Sequence, residues 1–225
     1  MTHDFLSAYP AKLMEYGLAI SYLLLFIPFW RFVQGGKRAA EVRTPAAVRA
    51  AGWFQVEPGV RLHPGHTWAR LEMDGLVSVG LDDFAHKLVA PASVTLPHLG
   101  DRVAQGEPAV ALCEGGRAVP MLSPVDGTVV AVNPALKDGA AALGDPYHAG
   151  WLYKVKPSRL AANLRQLHGV AAARRMLEDA SEALLRRMDP ALGQVLQDGG
   201  APVEGIARAL DGEDWEALAR EHFLT

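Results

Sequence analysis

Cysteine is almost absent from this sequence, and the net charge is small. Cys113 is the single cysteine among 225 residues, so the chain can form no internal disulfide and no zinc site built from several thiolates. The net charge near −3 arises from 22 basic and 25 acidic residues, which alternate along the chain and give no electrostatic reason to expect nucleic acid as a partner. We therefore expect a folded part that lies in the cytosol and binds no nucleic acid.

Sequence motifs of enzymes are also missing. No Gly-x-Ser-x-Gly elbow and no paired catalytic carboxylates occur, and the stretch Glu114–Arg117 lacks the Lys-Ser/Thr of a phosphate-binding loop. His63 and His66 lie in a Pro-Gly loop, but a metal site needs three or four converging ligands, so these two histidines are weak candidates. We expect no catalytic residue and no bound metal.

One long apolar run is present near the N-terminus. The stretch from Tyr16 to Trp30 carries no charge, and apolar residues flank it from Leu13 to Val33. A membrane-spanning helix needs roughly 20 apolar residues, and aromatic rings near its ends suit the headgroup region. Residues 13–33 are therefore predicted to be a transmembrane helix in contact with membrane lipid.

Two other interpretations of this run fit less well. A signal peptide should have basic residues before the run and small residues after it, whereas Arg31 and Phe32 follow here. A core helix should show a polar stripe, and none is visible. Only Lys12 precedes the run, but several basic residues follow it: Arg31, Lys37, Arg38, Arg43 and Arg49. This bias predicts a single-pass protein of the inner (cytoplasmic) membrane, with its N-terminus outside and its C-terminal domain in the cytoplasm.

Composition divides the remaining chain into a linker, a β domain and a helical tail. Residues 34–52 are rich in Gly, Arg and Ala and are predicted to be a juxtamembrane linker in which Pro45–Ala51 can form a helix. Within 53–158, short β-type runs separated by Gly, Pro, Asp and Asn predict a small sandwich or barrel. These runs are WARLEM, LVSVGL, SVTL, AVALC, GTVVAVN and WLYKVK. Residues 1–33 are then the anchor, and 159–225 are a helical region.

The helical region has apolar residues at intervals of three and four, the period of one helix face. They are Ala173, Leu177, Ala180, Leu184 and Met188. Asp189-Pro190 and Gly199-Gly200 are expected to interrupt the helix. Two further short helices are predicted, over Gly205–Leu210 and Trp215–Phe223, and they can either cap the β domain or bind a partner.

Several motifs of the β domain occur in a familiar order. They are HTWARLE, GLVSVGLDDFAHKL, VTLPHLGDRVAQGEPAVAL, LSPVDGTVVAVNPAL and DPYHAGWLYKVKPS. This order resembles the H protein of the glycine cleavage system over about His63 to Ser158. The resemblance implies a mainly β fold, the lipoyl-domain-like flattened β-barrel or barrel-sandwich hybrid that biotinyl domains share. In such proteins a lysine at a hairpin tip carries lipoate on its ε-amine, and the protein itself is not an enzyme.

The position of that lysine is occupied by another residue in this sequence. In the family, the lysine lies ten positions after the glycine that corresponds to Gly106 and eight positions before the proline that corresponds to Pro124. Both counts lead to Gly116 in this sequence. The family's tip, approximately Glu-Ser-Val-Lys-Ala, then falls on Cys113, Glu114, Gly115, Gly116 and Arg117. A shift of one position places Arg117 in the lysine position, but a guanidinium is too weak a nucleophile to form the amide. We therefore expect a degenerate lipoyl tip and no lipoate.

These features favour a binding function over an enzymatic one. The first hypothesis is a membrane-anchored, non-lipoylated, H protein-like module that docks as a structural accessory subunit on a membrane-associated complex, with a protein as its partner. The alternative is a lipoyl carrier, the H protein of the glycine cleavage system or of a related lipoate-dependent pathway. An enzyme with an unrecognised site is the third hypothesis, and only scattered histidines support it.

Overall fold

The computed structural model describes residues 10–35, 52–137, 139–188 and 203–224. The chain divides into two units, Met1–Val48 and Arg49–Thr225. In the first unit a single helix, α1, runs over Pro10–Gly35, and its described side chains, from position 14 to 27, are all exposed. The linker predicted over 34–52 lies almost wholly outside the described residues.

No helix in these described ranges is both long enough and apolar enough to cross a membrane.

The second unit contains nine short strands within its described residues. They are β1 (Arg61–Leu62), β2 (Thr67–Leu71), β3 (Val77–Leu81), β4 (Ser93–Thr95), β5 (Arg102–Val103), β6 (Pro108–Glu114), β7 (Arg117–Leu122), β8 (Gly127–Val132) and β9 (Trp151–Pro157). One sheet has the order β1-β2-β3-β9-β8-β5, the other has the order β4-β6-β7, and all neighbouring strands are antiparallel. This is the mainly β architecture that the sequence predicts.

The inward-facing side chains of the two sheets form the core. Val79 lies opposite Tyr153 in the large sheet, Leu112 lies opposite Val119 in the small sheet, and each is at most 1% exposed. The hydroxyl of Tyr153 donates a hydrogen bond to Ser123 Oγ at 3.0 Å, so its polar end is satisfied inside the barrel. Alternation of buried and outward residues explains why the sequence pattern finds these strands.

The sequence pattern does not predict strand β7, because this strand contains Pro120. A proline cannot donate to a strand ladder, so it argues against a central strand. In the structure β7 lies at the edge of the small sheet, where Pro120 is opposite Ala111. An edge strand can accommodate proline because only one of its sides is paired.

Five helices accompany the sheets in the described part of the second unit. They are α2 (Asp83–Val89), α3 (Leu160–Gln166), α4 (Val170–Met188), α5 (Ile206–Asp211) and α6 (Trp215–Phe223). The last two match the short helices predicted from the sequence to within one residue at each end. The predicted breaks at 189–190 and 199–200 lie outside the described residues.

Helix α4 buries the face that its apolar period predicts, with one exception. The buried members of the predicted set are Ala173, Leu177, Leu184 and Met188. Ala180 is only half-buried, and Ser181 is buried instead. The Ser181 hydroxyl donates to the Leu177 carbonyl at 2.6 Å, which satisfies its polar group within the helix and lets a serine occupy a core position.

Helix α4 covers one end of the outer face of the large sheet, where Trp68 lies. The Trp68 ring rests directly on Gly80, because a Cβ added there would lie 2.3 Å from the ring. Trp68 also donates a hydrogen bond from Nε1 to the Pro146 carbonyl at 3.1 Å. The surrounding apolar cluster contains Val60, Leu62, Tyr147 and Ala173, with Val56, Trp151 and Met176 packed against it.

Helices α5 and α6 cover the β domain on its other side. They pack against α2 and β7, and Ile206 and Phe223 are completely buried there. The Gly205 amide donates to the Lys87 carbonyl at 2.8 Å, which fixes the start of α5 on α2. Of the two roles considered for these helices, the structure supports the cap.

Candidate functional site

The five residues aligned with the lipoyl tip do lie at the tip of a hairpin. Strand β6 ends at Glu114 and β7 begins at Arg117, and these two residues oppose each other. Between them, Gly115 has φ 58° and Gly116 has φ 78°. A two-residue hairpin with positive φ at both positions is the type I′ turn, which glycine adopts without strain. The tip therefore offers backbone and no functional side chain.

The turn has enough space for a lysine side chain. A Cβ added at Gly115 or Gly116 would meet no atom within 4 Å, so a longer side chain would extend into solvent. No lysine occurs anywhere between Lys87 and Lys137. The hairpin therefore lacks the primary amine to which lipoate could be joined.

A salt bridge from the C-terminal cap holds one side of the tip. Arg208 of α5 lies with one guanidinium nitrogen 2.5 Å from Glu114 Oε1, and the Glu114 side chain is only 14% exposed. Arg220 of α6 donates to the Ala118 carbonyl on β7 at 3.2 Å. Neither contact is predictable from the sequence, because each joins residues about a hundred positions apart. The hairpin is thus braced against the cap.

Cys113, the first of the five tip positions, lies on β6, the central strand of the small sheet. Its thiol lies 3.6 Å from Thr95 Oγ1, and the residue is half-buried. Among the described residues, no charged group is hydrogen-bonded to the thiol.

The other described lysines are spread over the surface. Lys87 is the most restrained, since its ammonium donates to Asp83 Oδ2 at 2.9 Å and to the Trp53 carbonyl at 3.1 Å. Lys137 and Lys156 are exposed, while Lys154 is half-buried. None of them belongs to the β6–β7 hairpin.

His66 forms a buried pair with Asp82. Its Nδ1 lies 2.8 Å from Asp82 Oδ2, and its ring stacks on Phe84 at 4.2 Å. The other Asp82 oxygen accepts the Ala85 amide at 2.8 Å, which caps the N-terminus of α2. The pair therefore joins the loop before β2 to α2, which is a structural role for His66.

Two further histidines near His66 are held in the neutral form. Burial, together with the nearby His66, lowers the pKa of His222 to about 4. Burial also lowers the pKa of His63, with contributions from His168 and His66. His63 Nδ1 accepts the Gly65 amide at 3.0 Å, so one of its nitrogens is already used.

The histidines do not assemble into a metal centre in the described ranges, where no three His, Cys, Asp or Glu side chains are arranged to hold an ion. His63 and His66 are both committed to local hydrogen bonds. Their status as weak candidates stays a prediction.

The Ser-Pro-Val-Asp-Gly motif has a structural purpose that the sequence alone does not reveal. Asp126 accepts hydrogen bonds from Asn163 Nδ2 at 2.7 Å, Arg159 Nε at 3.0 Å and the Gln105 amide at 2.9 Å. Gly127 lies so close to β9 that an added Cβ would be 2.3 Å from the Lys156 carbonyl oxygen. The motif thus joins the barrel to helix α3.

The two antiparallel sheets and the exposed two-residue hairpin between β6 and β7 define a domain of the lipoyl type. The sequence profile of the family described as Glycine cleavage H-protein matches residues 60–180, which is more than half of the chain. The chain therefore belongs to the glycine cleavage H-protein family.

Individual relatives give the same family. The chain is 38% identical to glycine cleavage system H protein 2 of Pseudomonas syringae over 48% of its own length and 85% of the relative. It is 36% identical to a probable glycine cleavage system H protein of Thermococcus gammatolerans over 56% of its own length and 96% of the relative. With the glycine cleavage system H protein of Saccharophagus degradans the identity is 40%, over 42% of the chain and 75% of the relative.

Family membership confirms two of the expectations drawn from the sequence. The fold is that of an H protein, and H proteins are lipoyl carriers that are not themselves enzymes, in agreement with the prediction that this chain is not an enzyme. Of the two binding functions considered, the names of the relatives favour the lipoyl carrier over the docking subunit.

Proposed function

We propose that this protein uses the H-protein body as a docking module and carries no lipoate at its hairpin. The observation that carries the proposal is the Gly115-Gly116 turn, which has no primary amine. The brace between Arg208 and Glu114 supports it, because a tip held against the cap differs from a freely presented attachment site.

Amide chemistry is the reason to favour this function despite the family's role. Lipoate is joined through an amide to a primary amine, and within the hairpin only Arg117 has a basic side chain. A guanidinium stays protonated at neutral pH and does not replace a lysine ammonium. The docking surfaces of an H protein, by contrast, depend on the fold and not on the tip.

The second candidate function is the lipoyl carrier of the glycine cleavage system or a related pathway. It is favoured by a specific finding, since the matched relatives are named as H proteins of that system. For this function the lipoyl group would have to reside on a lysine outside the hairpin. Lys137 and Lys156 are the exposed described lysines, and neither lies at a turn like the family's tip.

The proposed location is the cytoplasmic face of the inner membrane, with residues 13–33 as a single-pass anchor. The uncharged run from Tyr16 to Trp30 and the basic residues that follow it support this location. Alkaline carbonate extraction of wild-type membranes tests it. The chain should stay in the membrane pellet, and its release into the supernatant would contradict the anchor.

The two functions are separated by purifying the native chain from cells that can make lipoate and from cells in which lipoate synthesis is blocked. The docking function predicts the same unmodified intact mass and the same associated complex from both kinds of cell. A lipoyl adduct that appears only when lipoate is made would support the carrier instead. Loss of the complex in lipoate-deficient cells would also contradict the docking function.

A further inference from the structure

The uncovered part of the outer face of the large sheet carries four cationic side chains. Strand register places Arg70 opposite Ser78, which is opposite Lys154. Arg102 lies opposite Thr128, which is opposite Lys156. Because cross-strand neighbours point to the same side of a sheet, these residues share one face. We call Arg70, Arg102, Lys154 and Lys156 the basic sheet face.

Internal contacts orient two of these cations without pairing them with a carboxylate. Arg70 donates to the Tyr147 carbonyl at 2.5 Å, and its guanidinium lies 5.1 Å from the centre of the Trp68 ring. Lys154 similarly lies 5.4 Å from the centre of the Trp151 ring. Within the described residues, none of the four cations forms an ion pair with a carboxylate. A ring or a carbonyl therefore orients Arg70 and Lys154, and among the described residues Arg102 and Lys156 have no such contact. All four charges can still pair with carboxylates of another molecule.

Three of the described helices of the second unit, α4, α5 and α6, pack away from the basic sheet face. Helix α4 covers the Trp68 end of the outer face, and α5 and α6 pack on the small sheet and α2. Val130 is 41% exposed among the cations, at an irregularity of β8 next to Lys154. Arginine, aromatic and apolar groups side by side are the composition of protein interfaces.

We infer that the basic sheet face binds an acidic surface of a partner protein. The inference rests on the proposed docking function and names the surface that performs it. Carboxylates lie beside the cations. Glu72 Oε1 accepts a hydrogen bond from Ser78 Oγ at 2.6 Å, between Arg70 and Lys154. Asp74 lies in the β2–β3 turn, and Asp101 precedes Arg102. The surface of a protein can complement such a mixture of positive and negative groups, whereas a uniformly anionic bilayer would repel these carboxylates.

The test uses the full-length chain in its own cells with a photo-crosslinking residue at one of two sites. Thr128 lies between two of the cations, and Ser93 lies on the other sheet as the matched control. The crosslinked protein is identified by mass spectrometry, together with the crosslinked peptide. It is then purified, and its Kd for the full-length chain is measured with the wild type, a Lys154→Glu/Lys156→Glu double variant and the control Lys137→Glu.

Capture from Thr128 of one protein through a carboxylate-rich peptide is the expected result. The double variant should weaken its binding about tenfold or more at low salt, and Lys137→Glu should change it less than twofold. Added salt should weaken wild-type binding as well. Unfolding curves check that the double variant is folded.

Three outcomes would overturn the inference. Capture of a partner from Ser93 but not from Thr128 would retain the docking function and assign it to another surface. Crosslinking of Thr128 to lipid, lost in the double variant, would identify the face as a membrane contact. Capture from neither site, with the chain found alone, would count against the docking function itself.

Discussion

Two buried aspartates, one at the start of α2 and one in the Ser-Pro-Val-Asp-Gly motif, hold separate parts of the domain together. Asp82 and Asp126 are both buried carboxylates, and each accepts hydrogen bonds from separate parts of the chain. Buried carboxylates persist only when their oxygens are satisfied. Both aspartates lie in the sequence motifs that carry the family resemblance. Their hydrogen-bond partners, such as Ala85 and Asn163, become apparent only from the structure.

Replacement of Asp82 by Ala should destabilise the β domain strongly. The variant loses the cap of α2 and leaves the buried His66 Nδ1 without its acceptor, so the free energy of unfolding should fall by about 2–4 kcal/mol. Asp74→Ala is the matched control, since Asp74 Oδ1 accepts only the exposed Leu76 amide. Urea unfolding of the full chain in mild detergent measures both. An equal loss in the two variants would contradict the role given to Asp82.

Asp126 should make the stability of the protein depend on pH in the acid range. Burial raises the pKa of Asp126, but the hydrogen bonds from Asn163, Gln105 and Arg159 together outweigh it and hold the pKa below its ordinary value of 3.8. The folded state therefore binds its proton less readily than the unfolded state. The resulting stability is present above about pH 4 and is lost as the pH falls through the lowered pKa.

The variant Asp126→Asn provides the measurement. At pH 7 it should be about 1–3 kcal/mol less stable than the wild type, because charge-assisted hydrogen bonds are lost. That difference should narrow as the pH is lowered below about 4. Unfolding curves at pH 7 and near pH 3 give the two differences, and a difference that stays constant would show that Asp126 does not titrate in this way.

At the scale of secondary structure, the C-terminal helices are part of the folded domain. Phe223 of α6 is completely buried and lies 5.9 Å, centre to centre, from the His66 ring. The next residue, Leu224, is 59% exposed. These two neighbouring apolar side chains thus differ sharply in burial, so one can be substituted as the test and the other as its control.

Phe223→Ala should cost about 3–5 kcal/mol of stability, the range for truncating a buried phenylalanine. Leu224→Ala should cost no more than about 0.5 kcal/mol. Hydrogen exchange of the β6–β7 hairpin should increase in Phe223→Ala, because the helix that braces β7 is loosened. If both variants retain wild-type stability and exchange, the helices do not cap the β domain.

Much of this architecture could be predicted from the sequence, and the exceptions have physical reasons. The long strands were found because their apolar residues alternate, and α6 was found because its buried face has a helical period. Strand β7 was missed because Pro120 argues against a strand anywhere but at an edge. Strands β1 and β5 have two residues each, too few to show a period.

The candidate site was predictable in position but not in its contacts. The spacing from Gly106 and Pro124 correctly places positions 113–117 at a hairpin tip. The brace between Arg208 and Glu114 could not be predicted, because no local pattern links a helix near the C-terminus to a turn in the barrel. The same holds for the basic sheet face, whose members become neighbours only through the register of five strands.

For the whole molecule, we propose an H-protein fold whose hairpin tip carries no lipoate. A lysine at position 116 would have room but would adopt a φ near 78°, at a cost of about 1 kcal/mol. Gly116→Lys should therefore restore an amine to a nearly unchanged fold. Partial modification of this variant is the most that the strained turn allows.

The most direct measurement is the intact mass of the wild type and of Gly116→Lys after incubation with lipoate, ATP and a lipoate ligase. The H protein 2 of Pseudomonas syringae serves as the control substrate in the same reaction. We predict an unmodified wild type and a partly lipoylated variant. A lipoyl adduct on the wild-type chain, at any lysine, would contradict the account and identify the protein as a carrier.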